Sequence, residues 1–461
     1  MPTRREFLTK TVAAGLAAIV TRKIAGAAQQ SSADLKPAVA TQSYEEYLKK
    51  SAVSRELIDQ FIKGPGWAQF DPEVGYILGN SLQHDGVDGC STLSTVQANG
   101  ARTSFIYAGR KCRINTYGNS FTQCHQVSDG ETWQEYLAAH FGEPIRNFGM
   151  GGFGVYQAYR RMVREEKTQM KAEYLILYLW GDDHIRSLFR ARWGAIYPWF
   201  LSENSKLKDP HGIGFHSNFW SNVEMDLELG SLVEKEQLLP TPESLYRMME
   251  PQAMVDLLKD DLAVQLSAYS DGNIKDLDRD KIGRLAEALG FLFDWSLMSS
   301  TAAVPGSLPG WPPKTAMQAQ AAALLDRYSL RATQFILDKA RAFAGKNGKK
   351  LMVVLFDPYR AMNQLRISGT RYDQEIVDYL EREKVDHFDM NKVHLEDYKK
   401  FNLSWEDYLK EYFIGHYKPA GNRFFAFAIK DKLVPWLDPK PISYQQPDQQ
   451  TVSFKGYIQG Y

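Results

Sequence analysis

Two unbroken apolar runs constrain this chain more than any other feature: Tyr174-Leu175-Ile176-Leu177-Tyr178-Leu179-Trp180 and Leu351-Met352-Val353-Val354-Leu355-Phe356. A strand with one wet face alternates apolar and polar residues, so a continuous run of this length reads as a strand buried on both faces. Such strands belong to parallel sheets whose faces are covered by helices. The flanking sequence supplies both. Short strands are predicted at Arg113 to Tyr117, Pro144 to Phe148 and Val385 to Phe388, the last an edge strand. Helices are predicted over Glu131 to Phe141, begun by Asp129, and over Val155 to about Thr168, Tyr372 to Lys384 and Pro419 to Trp436. Strand and helix in alternation imply right-handed crossovers and a doubly wound α/β domain over about 105–438.

The alternation breaks between Ser187 and Pro313. This segment is a long, mostly helical insertion after the third strand, with aromatic clusters (Trp193, Tyr197, Trp199, Phe200, Phe215, Phe219, Trp220) and four prolines between Pro305 and Pro313. Its root lies where open α/β sheets keep their ligand crevice, so it reads as a lid or as scaffolding that widens the core. Residues 28–104 read as a linker and N-terminal extension: a Ser/Ala/Gln/Pro stretch, one helical segment over Ser43 to Lys63, then a loop-and-strand region from Asp71. Residues 439–461 form a C-terminal tail.

Thr3-Arg4-Arg5-Glu6-Phe7-Leu8 and Lys10 precede the apolar run Val12 to Val20 and Ala25-Gly26-Ala27. A charged head, a short apolar middle and a small-residue cleavage site resemble a twin-arginine (Tat) signal peptide over 1–27. The apolar run is far short of the ~20 residues that span a bilayer, so no transmembrane span is expected in the mature chain. The resemblance implies the Tat export machinery as a partner and a periplasmic or extracellular location. The 55 Lys and Arg balance 55 Asp and Glu only in the precursor. Cleavage after Ala27 removes five basic side chains and one acidic one, leaving 50 positive and 54 negative groups. A mildly acidic chain is a poor counterion for phosphate, and no nucleic-acid partner is expected. Cys90, Cys112 and Cys124 lack zinc-site spacing; Cys90 and Cys112 are the candidates for a disulfide after export.

Four segments sit beyond strand ends or before the last helix, where a doubly wound sheet gathers its site. They are Gly118-Asn119-Ser120, Asn147-Phe148-Gly149-Met150-Gly151-Gly152-Phe153-Gly154, Gly181-Asp182-Asp183-His184, and Gly415-His416-Tyr417-Lys418-Pro419-Ala420-Gly421-Asn422. In type and order they resemble the four blocks of the SGNH/GDSL hydrolase superfamily, which carry in turn a Ser in Gly-Asp-Ser, a Gly, an Asn and a His. The resemblance spans Arg113 to about Leu437, interrupted by the insertion, and Asp71-Pro72-Glu73-Val74-Gly75-Tyr76 looks like a lead-in found in exported members. It implies an α/β fold with a doubly wound, flavodoxin-like parallel sheet of about five strands flanked by helices.

Carried over residue by residue, Ser120 matches the nucleophile and His416 the general base that takes its proton. Backbone N–H groups of Ser120 and Gly152 would face the oxyanion. Two positions depart from the pattern. Where the family has an oxyanion Asn, this chain has Asp182 or Asp183, and an ionised carboxylate cannot donate a hydrogen bond. Either that carboxyl stays protonated, or it has another task such as fixing Arg186 or His184. Where the family has Asp three residues before its His, this chain has Phe413, which cannot orient an imidazole. Glu411, Asp182 or Asp183 could orient it instead, or a backbone carbonyl could complete a Ser-His dyad. A Cys124-His125 thiolate site is disfavoured because a buried Cys on a first helical turn is usually inert. Asp182, Asp183 and His184, consecutive on one turn, rarely reach one ion together, and neither metal nor other cofactor is expected.

The expected function is an exported serine esterase of the SGNH/GDSL type, cleaving a small-molecule or carbohydrate ester through an acyl-Ser120 intermediate. Two alternatives stand beside it: an O-acyltransferase acting on a polysaccharide, and a catalytically impaired binding protein of the same fold.

Overall fold

The structure is a computed structural model that describes residues 41–64, 66–191, 218–299, 303–304 and 314–445. The segment over 1–27 expected to be a signal peptide, the expected linker up to residue 40, Trp193, Tyr197, Trp199, Phe200 and Phe215 of the expected insertion, the Pro305 to Pro313 stretch and the tail after 445 lie outside the described residues.

Five strands form one sheet: β1 (Ile114–Tyr117), β2 (Ile145–Asn147), β3 (Tyr174–Trp180), β4 (Lys350–Phe356) and β5 (Asp386–Asp389). Their order across the sheet is β2-β1-β3-β4-β5, and every neighbouring pair is parallel. The longest register joins β3 to β4, from Lys350 opposite Tyr174 to Phe356 opposite Trp180. These are the two apolar runs, and their side chains divide by parity. Leu175, Leu177, Leu179, Val353 and Leu355 enter one core, whereas Tyr174, Ile176, Tyr178, Met352, Val354 and Phe356 enter another. Each such side chain stabilises the fold by about 1.5–3 kcal/mol, which is why neither run tolerates a polar residue.

Helices cover both faces. On the leucine face lie α2 (Val155–Glu165), α3 (Ala316–Lys346) and α4 (Gln374–Arg382), which contribute Tyr156, Met162, Leu324, Ile336, Ile376 and Leu380 to that core. On the opposite face α1 (Trp133–Phe141) and α5 (Pro419–Trp436) contribute Trp133, Leu137, Phe425, Ile429 and Leu433. α1 begins later than the sequence suggests. Its N-cap is Thr132, whose side chain accepts from Glu135 N–H, while Asp129 opens a preceding 3₁₀ turn and is buried against Arg102. Gly142 at φ +74° ends the helix in the left-handed conformation that glycine adopts freely. No helix among the described residues is long and apolar enough to cross a membrane.

Between β3 and β4 the described chain forms a hairpin (Asn222–Asp226 with Ser231–Lys235), three helices (Pro251–Leu258, Leu262–Ser270, Arg279–Ala288) and then α3. Val223, Leu258, Leu266 and Ile282 all join the leucine-face core. Phe219 and Trp220 are buried there too, Trp220 edge-on to Tyr76 at 6.2 Å. These two aromatics therefore pack the core and are not platforms facing solvent.

The N-terminal extension departs most from expectation. Ser43 to Lys63 is two helices, Tyr44–Lys49 and Arg55–Lys63, because Ser54 caps a second start by accepting from Leu57 N–H. Two antiparallel hairpins follow, Ala68–Asp71 with Gly75–Leu78 and Ser81–Gln83 with Thr92–Ser94. Arg102 then bridges to Asn147 at the end of β2, so the extension is knitted to the sheet domain.

Candidate active site

Ser120 owes its position to the two residues before it. Gly118 at φ +154° turns the chain sharply off β1, and a Cβ there would collide with Thr122 Oγ1 and the Tyr178 carbonyl. Asn119 is the N-cap of the short helix Ser120–Gln123: its Oδ1 accepts from Phe121 N–H at 2.8 Å. Its Nδ2 donates to Asp183 Oδ2 at 2.5 Å. Ser120 is left half-buried at the carboxyl end of the sheet.

His416 reaches it from the loop before α5. Its Nε2 lies 2.8 Å from Ser120 Oγ, across 296 residues of chain. The loop is held from beneath by a buried aromatic and polar network. Tyr417 stacks on Phe413 at 4.7 Å, and its hydroxyl lies 2.7 Å from His394 Nε2. His394 Nδ1 in turn lies 2.9 Å from the Tyr408 hydroxyl. Phe413 is thus a core residue, stacked also on Phe356 at 5.9 Å. A carboxylate there would be desolvated among the rings of Phe356, His394 and Tyr417.

The group that orients His416 is Gln126. Its Oε1 lies 3.2 Å from His416 Nδ1 and accepts the His416 backbone N–H at 2.8 Å. Gln126 Nε2 donates to the Asp85 carbonyl at 3.1 Å, which fixes which end of the amide faces the ring. An acceptor at Nδ1 selects the tautomer protonated there, leaving the Nε2 lone pair for the serine. Glu411 does not fill this role. It is exposed on the last turn of Trp405–Tyr412, and the position it was expected to fill is occupied by the amide.

Gln126 reaches the ring because its turn is unusual. Cys124 and Gln126 both have positive φ, +62° and +71°. Arg102, 1% exposed, clamps this turn from inside: its guanidinium donates to the carbonyls of Gln123, Cys124 and Val127 and to Asp129 Oδ1. Burial pushes the Cys124 thiol up to about 12, so it is not a thiolate at neutral pH. Cys90 and Cys112 are not bonded to each other; Cys90 is exposed, and the buried Cys112 thiol donates to the Ile114 carbonyl at 3.2 Å.

The two aspartates after β3 separate in role. Asp183 is buried, and its carboxylate accepts from Asn119 Nδ2, from Trp180 N–H at 2.8 Å and from Arg186 at 3.0 Å. Burial pushes its carboxyl up to about 7, against the pull of the Arg186 guanidinium and the Asn119 amide. Asp182 is 44% exposed and pairs with Arg186 at 3.3 Å. Both carboxylates face Arg186, and Asp183 additionally anchors the turn that carries Ser120. Neither stands as an amide-like donor.

The glycine-rich segment after β2 lies directly against that turn. Gly149 has Gln123 N and Thr122 where a Cβ would go, Met150 N–H donates to the Gly118 carbonyl at 3.0 Å, and Gly151 N–H donates to Gln123 Oε1 at 2.7 Å. Gly152, at φ +81°, is buried next to it. Among the described residues the backbone N–H groups of Ser120 and Gly152 have no acceptor, so two donors remain for an incoming oxygen. No group of three His, Cys, Asp or Glu side chains among the described residues is placed to hold a metal ion.

Burial pushes His416 well below its ordinary value, helped by His125 and the Arg186 guanidinium. The ring is therefore a neutral base at pH 7. Sequence reasoning missed Gln126, Arg102 and Asp85. The one local hint was a polar residue six places after Ser120, which has no distinguishing spacing. No family model matches the chain, and no curated protein matches it.

Proposed function

We propose that the protein is an exported serine esterase of the SGNH/GDSL type that hydrolyses a carboxylic ester, with carbohydrate esters as the substrate class to try first. The observation that carries this reading is the 2.8 Å contact between Ser120 Oγ and His416 Nε2, with Gln126 on the opposite ring nitrogen. Ser120 Oγ attacks the ester carbonyl carbon while its proton passes to His416 Nε2. The oxygen that becomes negative is received by the N–H groups of Ser120 and Gly152. The C–O bond to the alcohol breaks, and the departing oxygen takes the proton from Nε2. Water then repeats the sequence on the acyl-serine and frees the acid.

The strand order β2-β1-β3-β4-β5 favours a flavodoxin-like reading of the sheet, in which the ligand crevice opens at the carboxyl ends beside β1 and β3. Ser120 and Asp183 follow those two strands. On this reading residues 187–313 are an insertion, and the protein acts outside the cytoplasm after removal of residues 1–27.

The test uses the mature protein with p-nitrophenyl acetate and an acetylated sugar. A burst of nitrophenol that falls by ~10⁴-fold or more in Ser120→Ala supports acyl-serine chemistry. Turnover accelerated by an added sugar hydroxyl would instead mark an O-acyltransferase. Equal inertness of both proteins, with no labelling of Ser120 by a fluorophosphonate, would overturn the enzyme reading in favour of a binding protein.

A further inference from the structure

A second imidazole meets His416 from the N-terminal side of the fold. His125 immediately precedes Gln126, and its ring stands edge-on to His416 with centroids 5.0 Å apart. Trp67 covers it at 5.8 Å. His125 Nε2 lies 3.2 Å from Asp85 Oδ2. Asp85 belongs to the turn of the Ser81–Ser94 hairpin, where its other carboxylate oxygen accepts from Thr92 Oγ1 at 2.6 Å. One residue thus supports both rings. Its carboxylate holds His125, and its backbone carbonyl holds Gln126 and through it His416.

Two imidazoles at this separation cannot both carry a proton without like-charge repulsion, so the pair takes up a single proton over a span of pH. Which ring receives it depends on the groups around each. Burial lowers the proton affinity of His125, as it does that of His416; against it stands the Asp85 carboxylate in contact, while the Arg102 guanidinium lies behind the turn. Around His416 stand a hydroxyl, a neutral amide and, from the short helix Asp183–Arg186 that follows β3, the Arg186 guanidinium. Among the described residues each ring faces one guanidinium, but only His125 touches a carboxylate.

We propose that Asp85 and His125 form a proton-holding pair that takes the first proton entering the site, so that His416 stays unprotonated and able to accept the Ser120 proton. This rests on the reading of Ser120 and His416 as nucleophile and base. Asp85 and His125 are positioning residues in it, since they act on His416 and not on substrate. The arrangement suits a site whose ring-orienting group is an amide. Gln126 sets the tautomer but supplies no charge, and the carboxylate that is present acts on the neighbouring ring.

The test is the rate of Ser120 labelling by a fluorophosphonate as a function of pH, in wild type, Asp85→Asn, His125→Asn and Ser120→Ala. Asn at 85 keeps the backbone carbonyl on Gln126 and an oxygen for Thr92, so the substitution removes charge with little change of shape. The expected result is that the acid limb of the profile moves upward by ~1 pH unit in both Asp85→Asn and His125→Asn. A limb that stays in place, or moves down, overturns the proposal, because a merely structural pair would lower the rate without moving the limb. Imidazole NMR of labelled protein gives a second readout independent of activity. His125 should titrate before His416 in wild type, with the order reversed in Asp85→Asn. If wild type is never labelled at Ser120, the serine reading fails, and the NMR order still decides whether the pair holds the proton.

Discussion

At the scale of single residues the site turns on an amide where a carboxylate is customary. Gln126 accepts from His416 Nδ1 and from the His416 backbone, so it fixes ring orientation and tautomer without charge. Replacing it with Leu removes the oxygen that takes both hydrogen bonds, and kcat of the proposed esterase should fall about 10–100-fold with little change in KM, since the loss falls on the transition state. Gln126→Glu places an anion on Nδ1, which raises the His416 pKa, so the acid limb of kcat/KM should shift upward. Phe413→Asp is the informative negative. It restores the acid that the family resemblance expects, yet the position is an aromatic stack on Tyr417 and Phe356. It should destabilise the fold by at least ~3 kcal/mol in urea unfolding, with no gain in rate, because Nδ1 is already occupied. Ser120 and His416 were legible because a serine two places after a glycine and a histidine before a final helix stand out beside strand ends. Gln126 was not, because its function comes from two positive-φ residues in one turn, and φ leaves no periodic trace in sequence.

At the scale of elements, the turn from Gln123 to Val127 is shaped by a residue that lies about twenty positions earlier in the chain. Arg102 satisfies three of its carbonyls and pairs with Asp129 in a buried site, the guanidinium 1% and the carboxylate 3% exposed. Arg102→Met should cost about 3–5 kcal/mol of stability, because it leaves Asp129 charged and unpaired in the interior. A double-mutant cycle with Asp129→Asn, read by urea unfolding, should show the two losses to be less than additive. The same variant should lower the proposed esterase activity beyond the unfolded fraction, since Gln126 rides on that turn. Elements with a strong period were readable: β3 and α5 match the expected bounds residue for residue. The hairpins of residues 68–94 were not, because short strands with mixed patterns become strands only when the sheet domain is there to pack against. Their contribution is tertiary, as Asp129 holding Thr95 across 34 residues illustrates.

At the scale of the whole molecule, buried histidines and buried aspartates act on stability in opposite directions as pH changes. Burial pushes His184 down to about 4 and His394 down to about 3, and pushes His416 well below its ordinary value. Burial also pushes Asp183 up to about 7 and Asp261 and Asp357 up to about 6. The histidines bind fewer protons folded than unfolded, so stability is lost as pH falls below ~6.5, at about 2 kcal/mol each for His184 and His394 between pH 7 and 5. The aspartates bind more protons folded than unfolded, so their ionisation costs stability as pH rises through 6 to 7, and acid restores it by about 1–2 kcal/mol each. The two sets nearly cancel between pH 7 and 5. The urea midpoint should therefore change little over that range. Asp357→Asn tests the balance. Its side-chain oxygen can still accept from the Tyr359 and Arg360 backbone N–H groups, as Asp357 Oδ1 does at 3.0 and 2.9 Å, but it cannot take up a proton. That variant should lose about 1 kcal/mol more than wild type on going from pH 7 to 5, and an unchanged pH dependence would show that Asp357 does not titrate in this range.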